Sequence, residues 1–203
     1  MRQPASRKPP KPLRKPAYFP EGHVLTRTLP ADLAGQREFE EYHFVGFDFS
    51  QANLSGWRFS DCLFENCNLA GATIANTAFQ NVAFAGCKLI GLPFQACRDM
   101  LFGVHFDHCQ LDYASFLGRA LSNTRFINCS LQEADFTQAD LTNAAFQDCK
   151  LLRAVFKQTR LVGADFSTAQ DVELDPAQNE VKQARFSLHS LPGLLTQFEL
   201  VIS

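Results

Sequence analysis

Residues 101–166 read LFGVHFDHCQLDYASFLGRALSNTRFINCSLQEADFTQADLTNAAFQDCKLLRAVFKQTRLVGADF, and one regularity runs through all of them. Every fifth position is Leu or Phe in strict alternation: Leu101, Phe106, Leu111, Phe116, Leu121, Phe126, Leu131, Phe136, Leu141, Phe146, Leu151, Phe156, Leu161 and Phe166. A period of five matches neither the 3.6 of an α-helix nor the 2.0 of a strand, so neither element alone buries this set.

The same comb runs upstream in another phase, through Phe44, Phe49, Leu54, Phe59, Phe64, Leu69, Ile74, Phe79, Phe84, Leu89 and Phe94. Phe39 is a first, imperfect centre, with Arg37 two positions before it. From Phe94 to Leu101 the step is seven residues, so two extra residues lie there. Two positions before most centres stands a small residue, such as Ala52, Cys62, Cys67, Ala72, Cys87, Cys109, Ala114, Cys129, Ala134 or Cys149. Two positions after many centres stands Gly or Asn, suited to corners with positive φ; Gly46, Gly71, Gly103, Gly163, Asn66 and Asn143 are examples.

The units Ala52-Asn53-Leu54-Ser55-Gly56, Ala134-Asp135-Phe136, Ala139-Asp140-Leu141-Thr142-Asn143 and Ala164-Asp165-Phe166 nearly spell A-(D/N)-L-x-x. Over about 39–166 the chain therefore resembles the pentapeptide-repeat family. The resemblance implies an all-β fold, a right-handed quadrilateral β-helix in which four units make one square coil and each centre lies on one inner wall. On that plan residues twenty apart stack, so Phe106, Phe126, Phe146 and Phe166 form one column and Leu101, Leu121, Leu141 and Leu161 another. About six coils at the strand spacing of ~4.8 Å make a rod roughly 30 Å long.

The flanks differ in composition. Residues 1–20 hold six of the nineteen Lys+Arg, no acid and six prolines. Such a segment buries too little apolar surface to order itself, and reads as a mobile tail, either simply solvated or a basic arm for nucleic acid or an acidic partner. Residues 21–37, with Leu25, Leu29 and Leu33, are expected to cap the first coil of a solenoid spanning 21–170. Residues 171–203 are expected to form a C-terminal cap, with a short helix and a terminal strand. Its apolar side chains Leu191, Leu194, Leu195, Phe198 and Leu200 are a candidate homodimer interface, because gyrase-protecting pentapeptide-repeat proteins dimerise through such ends.

Beyond the tail, 13 Lys+Arg stand against all 21 Asp+Glu, a formal charge of −8. An acidic body does not favour direct nucleic-acid binding, and permits mimicry of a DNA duplex without indicating it, since basic side chains interleave with the acids. No apolar run is long enough to span a membrane and no signal-type apolar region follows the N-terminus, so a cytoplasmic protein is expected.

Little in the sequence points to catalysis. All seven cysteines fall on the small inward position and none belongs to a C-x-x-C pair, so they read as buried free thiols and no metal or other cofactor is expected. The five histidines are scattered, and no phosphate loop, dinucleotide fingerprint, nucleophile elbow or zincin motif is present. The expectation is a non-enzymatic binding protein. The resemblance implies DNA gyrase or topoisomerase IV as partner, with protection from quinolones or gyrase toxins; the alternative is a scaffold for an unknown partner. Two charges break the comb. Asp99 and Arg119 both occupy the inward position, twenty residues apart, and are expected to stack as an ion pair at the register change.

Overall fold

The computed structural model of the chain describes residues 24–28, 31, 35–198 and 200. Twelve short strands form two parallel sheets. The larger contains nine strands: β1 (Val24–Thr26), β3 (His43–Val45), β5 (Leu63–Glu65), β7 (Val82–Ala85), β8 (Val104–Asp107), β9 (Arg125–Ile127), β10 (Ala145–Gln147), β11 (Asp165–Phe166) and β12 (Arg185–Phe186). The smaller contains β2 (Glu38–Glu40), β4 (Arg58–Ser60) and β6 (Ala78–Gln80). Phe44 pairs with Phe64 and Phe126 with Phe146, in a register of twenty residues. This is the quadrilateral β-helix that the resemblance to the pentapeptide-repeat family implies.

Four walls follow. Wall 1 carries Phe39, Phe59, Phe79, Leu121, Leu141 and Leu161; wall 2 the Phe44-to-Phe186 column; wall 3 Phe49, Leu69, Leu89, Leu111, Leu131 and Leu151; wall 4 Leu54, Ile74, Phe94, Phe116, Phe136 and Phe156. Walls 2 and 4 face each other and carry most of the phenylalanines. Successive rings of wall 2 stack with centroids 4.8 Å apart at Phe126–Phe146 and 4.7 Å at Phe146–Phe166, nearly coplanar. Across the bore Phe126 meets Phe136 edge-on at 5.9 Å and 86°. Ring spacing thus equals coil spacing, and each buried ring contributes roughly 1.5–3 kcal/mol from burial alone.

Corner chemistry explains the rest of the pattern. In most turns the amide three residues after a centre bonds the centre's carbonyl, as Ala52 N does to Phe49 O at 3.0 Å. On leaving Phe64, the amide of Cys67 donates instead to the sulfur of Cys87, one coil on, at 3.4 Å. That same thiol donates to Phe64 O at 3.3 Å, so one sulfur serves both groups of the open turn below it. Cys109 donates likewise to Phe84 O and Cys149 to Phe126 O. Near the end of the rod Asn179 takes the same part, accepting from Thr159 N at 2.9 Å and donating to Phe156 O at 3.0 Å. At the corners themselves φ is positive; at Gly71 (φ +69°) an added Cβ would lie 2.0 Å from Gln51 Nε2.

The structure corrects several expectations. Nine rungs of wall 2 make about eight coils rather than six, because Leu25 pairs beside Phe44 and Phe186 beside Phe166. The two extra residues belong to wall 1: the register widens to twenty-two at Phe84–Phe106 and Pro93–Ser115, and residues 97–103 bulge. Leu101 is therefore not a core centre. It is 73% exposed with φ +57°, and it takes the left-handed corner expected of Gly103, which does not adopt it. The helical part of the C-terminal cap is three single 3-10 turns, Leu188–Ser190, Pro192–Leu194 and Thr196–Phe198, with no α-helix among the described residues. The basic Pro-rich tail, Leu29 and Leu33 of the proposed N-terminal cap and the end of the proposed terminal strand lie outside the described residues.

Candidate interaction surfaces

The bulge on wall 1 is built around Arg119. Its side chain is 4% exposed and enters the bore at the inward position, where small residues stand elsewhere. Nη1 donates to Cys97 O at 3.1 Å and Nη2 to Arg98 O at 2.8 Å, and the guanidinium lies 4.2 Å from the centre of the Phe102 ring. Nη1 also reaches Asp99 Oδ1 at 2.5 Å. The two charges are thus brought together, but Asp99 is not inward. Its side chain is 96% exposed, and Cys97 fills the inward place. The lengthened loop lets the carboxylate stay in water, where an anion is cheapest. Nε of Arg119 is buried without a hydrogen-bond partner.

The loop that Arg119 grips is otherwise closed on itself. Arg98 N bonds Thr77 O at 2.9 Å and Gly103 N bonds Phe79 O at 3.0 Å, which tie both ends to the coil below. Between them Phe102 N bonds Asp99 O at 3.2 Å, closing a β-turn with Met100 and Leu101 at its centre. A positive φ at the third residue of a turn favours Gly or Asn. Here it is Leu101, the one aliphatic among the described non-glycine residues with positive φ, and Met100 beside it is 76% exposed.

The second surface is the C-terminal end. Gly193 seats the cap: an added Cβ would meet Val172 O at 2.0 Å, and its carbonyl accepts from Leu174 N. Of the residues expected to pair two copies, Leu191, Phe198 and Leu200 are exposed and Leu194 and Leu195 half-buried, with Leu188 added at 83%.

Charge on the walls is largely compensated between coils. Glu38 faces Arg58 at 3.7 Å, Glu133 faces Arg153 at 3.5 Å, Glu180 faces Arg160 at 3.2 Å and Asp165 faces Arg185 at 3.0 Å, each pair one coil apart. The acids therefore form no unbroken stripe. Hydrogen bonds from the Ser50 hydroxyl and amide hold Asp48 below the usual carboxylate range. At Asp140, partial burial pushes upward but the hydrogen bonds from Thr142 prevail and lower it.

Potentially reactive groups are engaged or buried. All seven cysteines are free and buried, and burial pushes Cys62 and Cys97 up to about 12. Nε2 of His43 lies 2.8 Å from Glu65 Oε2 and Nδ1 of His108 2.6 Å from Asp107 Oδ1. Burial and then the neighbouring Arg125 charge lower His105, whose Nδ1 accepts from Arg125 N. Among the described residues no group of three or more His, Cys, Asp or Glu is arranged around a metal position, and no helix is long and apolar enough to cross a membrane.

The apolar turn at Met100 and Leu101 was not foreseen from sequence; its signal was the seven-residue step. No curated protein matches the chain. Among solved structures, a trypsin-treated variant of QnrB1, a plasmid-mediated fluoroquinolone resistance protein, is similar with a TM-score of 0.59 and 16% identity, over 82% of this chain and 90% of that one. HetL, a pentapeptide-repeat protein involved in heterocyst differentiation regulation in the cyanobacterium Nostoc sp. strain PCC 7120, gives a TM-score of 0.47 and 15% identity, over 77% and 91%. The family model for the pentapeptide repeat region matches residues 57–135 and 94–166, which together span more than half of the sequence. With the period of five, the square coil and that match in agreement, the chain belongs to the pentapeptide-repeat family.

Proposed function

We propose that the protein is a non-enzymatic, cytoplasmic binding rod whose partner is a type II topoisomerase, DNA gyrase or topoisomerase IV, and that it protects that enzyme from quinolones or a gyrase-directed toxin. The observation that carries the binding reading is where large apolar side chains reach water. Among the described residues the three most exposed, Leu188, Met100 and Leu101, belong to the C-terminal end and to the clamped turn. Gyrase is supported by the fold shared with QnrB1. The compensated acids weigh against mimicry of a whole duplex, so any such likeness is local. The exposed end supports a homodimer joined through Leu191, Leu194, Leu195, Phe198 and Leu200.

The test is gyrase supercoiling with and without a fluoroquinolone, in the presence of the full chain. Restored supercoiling under drug is expected. If supercoiling is the same with and without the protein, under drug and without it, the topoisomerase reading falls and the scaffold reading, with a different protein partner, replaces it.

A further inference from the structure

The clamped turn stands on an uncharged floor. On walls 1 and 4, between Asp61 and Asp135, the only charged side chains are Arg98 and Asp99 of the bulge and the buried Arg119. Thr73, Ala75 and Gln95 of wall 4 and Gln80 and Asn123 of wall 1 stand there, with Leu117 exposed in the coil after the bulge. Walls 2 and 3 carry Lys88, Asp107, Asp112 and Arg125 over the same coils. Charge returns on walls 1 and 4 at Arg58 and Asp61 on one side and at Asp135, Asp140 and Lys157 on the other. A centre whose apolar side chains are accompanied only by the opposite charges Arg98 and Asp99, inside a charged rim, is close to the composition of a protein–protein contact.

The turn is also costly in a way that folding alone does not require. Leu is disfavoured in the left-handed region, and Gly or Asn would fit there without strain. Arg119 holds the base of the turn by the carbonyls of Cys97 and Arg98, so the backbone that carries Met100 and Leu101 is braced before anything binds and less conformational freedom remains to be lost. Strain of this kind persists where a surface is used.

We infer that the corner between walls 1 and 4 at the bulge is the docking face of the rod, with Met100 and Leu101 entering an apolar pocket on an uncharged protein surface. This rests on the topoisomerase reading and names the contact it uses: the neutral corner, and not the acidic walls. A nucleic acid would find one exposed cation there, Arg98, and an anionic lipid surface would meet Asp99.

Binding of purified gyrase to the immobilised full chain, at low and high KCl, decides the matter. Leu101→Gly removes the side chain while relieving the strained φ, so it is expected to melt no lower than wild type yet bind about tenfold or more weakly. Met100→Asp should weaken binding similarly. Asp148→Asn on wall 2 and Glu133→Gln on wall 3 should bind like wild type, and affinity should change little with salt. If wild type does not bind, the topoisomerase reading falls and this docking face with it. If wild type and Leu101→Gly bind alike, the reading stands and the face is wrong. Steep salt dependence with weakening by the wall 2 and wall 3 changes would move the contact to the acids. Binding of wild type, but not Leu101→Gly, to phosphatidylglycerol vesicles would replace the protein pocket with a membrane.

Discussion

Replacing Arg119 with Ala should cost far more than replacing Asp99 with Asn, although the two form an ion pair. The Asp99 side chain is 96% exposed, and a pair so open to water contributes about 0–1 kcal/mol. The rest of what Arg119 does takes place out of water. Its guanidinium satisfies Cys97 O and Arg98 O and covers Phe102, and without it those carbonyls lose their charged donor, at about 1–3 kcal/mol for each that stays buried. Loss of the packed stem adds to this, for a total of about 3–5 kcal/mol. Urea unfolding of the two single variants and the double variant, followed by circular dichroism, gives both values and their coupling. The coupling is expected to be about 1 kcal/mol or less. If Asp99→Asn destabilises as much as Arg119→Ala, the carboxylate rather than the backbone is the partner that matters, and the reasoning fails.

Core and surface should separate sharply elsewhere. Phe126→Ala opens a cavity between stacked neighbours at 4.8 and 5.2 Å and should cost about 3–5 kcal/mol, whereas exposed Ser122→Ala should stay within about 0.5 kcal/mol, both read by urea unfolding. The thiols set a pH limit. Burial pushes Cys62 and Cys97 from about 9 up to about 12 on folding, so the unfolded state loses protons first; the contribution of these thiols to stability should be constant below pH 9 and decline from 9 toward 12, as thermal melts across that range would show. Replacing either with Ala should flatten the decline. Truncation before Leu191 should turn a dimer into monomer or aggregate, and a full chain that sediments as monomer at micromolar concentration would end the dimer proposal.

The fold was legible because its repeat is written in large side chains: a Phe or Leu every fifth residue marks the pentapeptide-repeat family, whose coil buries them all, and the structure stacks one column from Phe44 to Phe186 with a single step of twenty-two at Phe84–Phe106. What the comb could not show was where the extra residues go. Counting fives made Leu101 a centre, but it turns outward at the positive-φ position of the bulge's β-turn while Phe102 beside it packs against the core. Counting also placed Asp99 and Arg119 alike, whereas burial separates a long side chain that can reach two carbonyls from a short carboxylate that could not. The docking corner was illegible for a related reason. Neutrality of a face is a property of two walls taken together, and it emerges only once residues 75, 95 and 117 of wall 4 and residues 80 and 123 of wall 1 are seen to flank one corner.

The sulfur column gives the rod a direction of growth. Each thiol of Cys87, Cys109 and Cys149 closes a turn made some twenty residues earlier, so a coil is finished only when the following coil has been laid on it. A chain emerging from the ribosome would carry one incomplete turn at its advancing tip and none behind it. Winding would proceed as a ratchet from the N-terminal side, each added layer fastening the last, until Asn179 fastens the turn after Phe156 and the cap folds over.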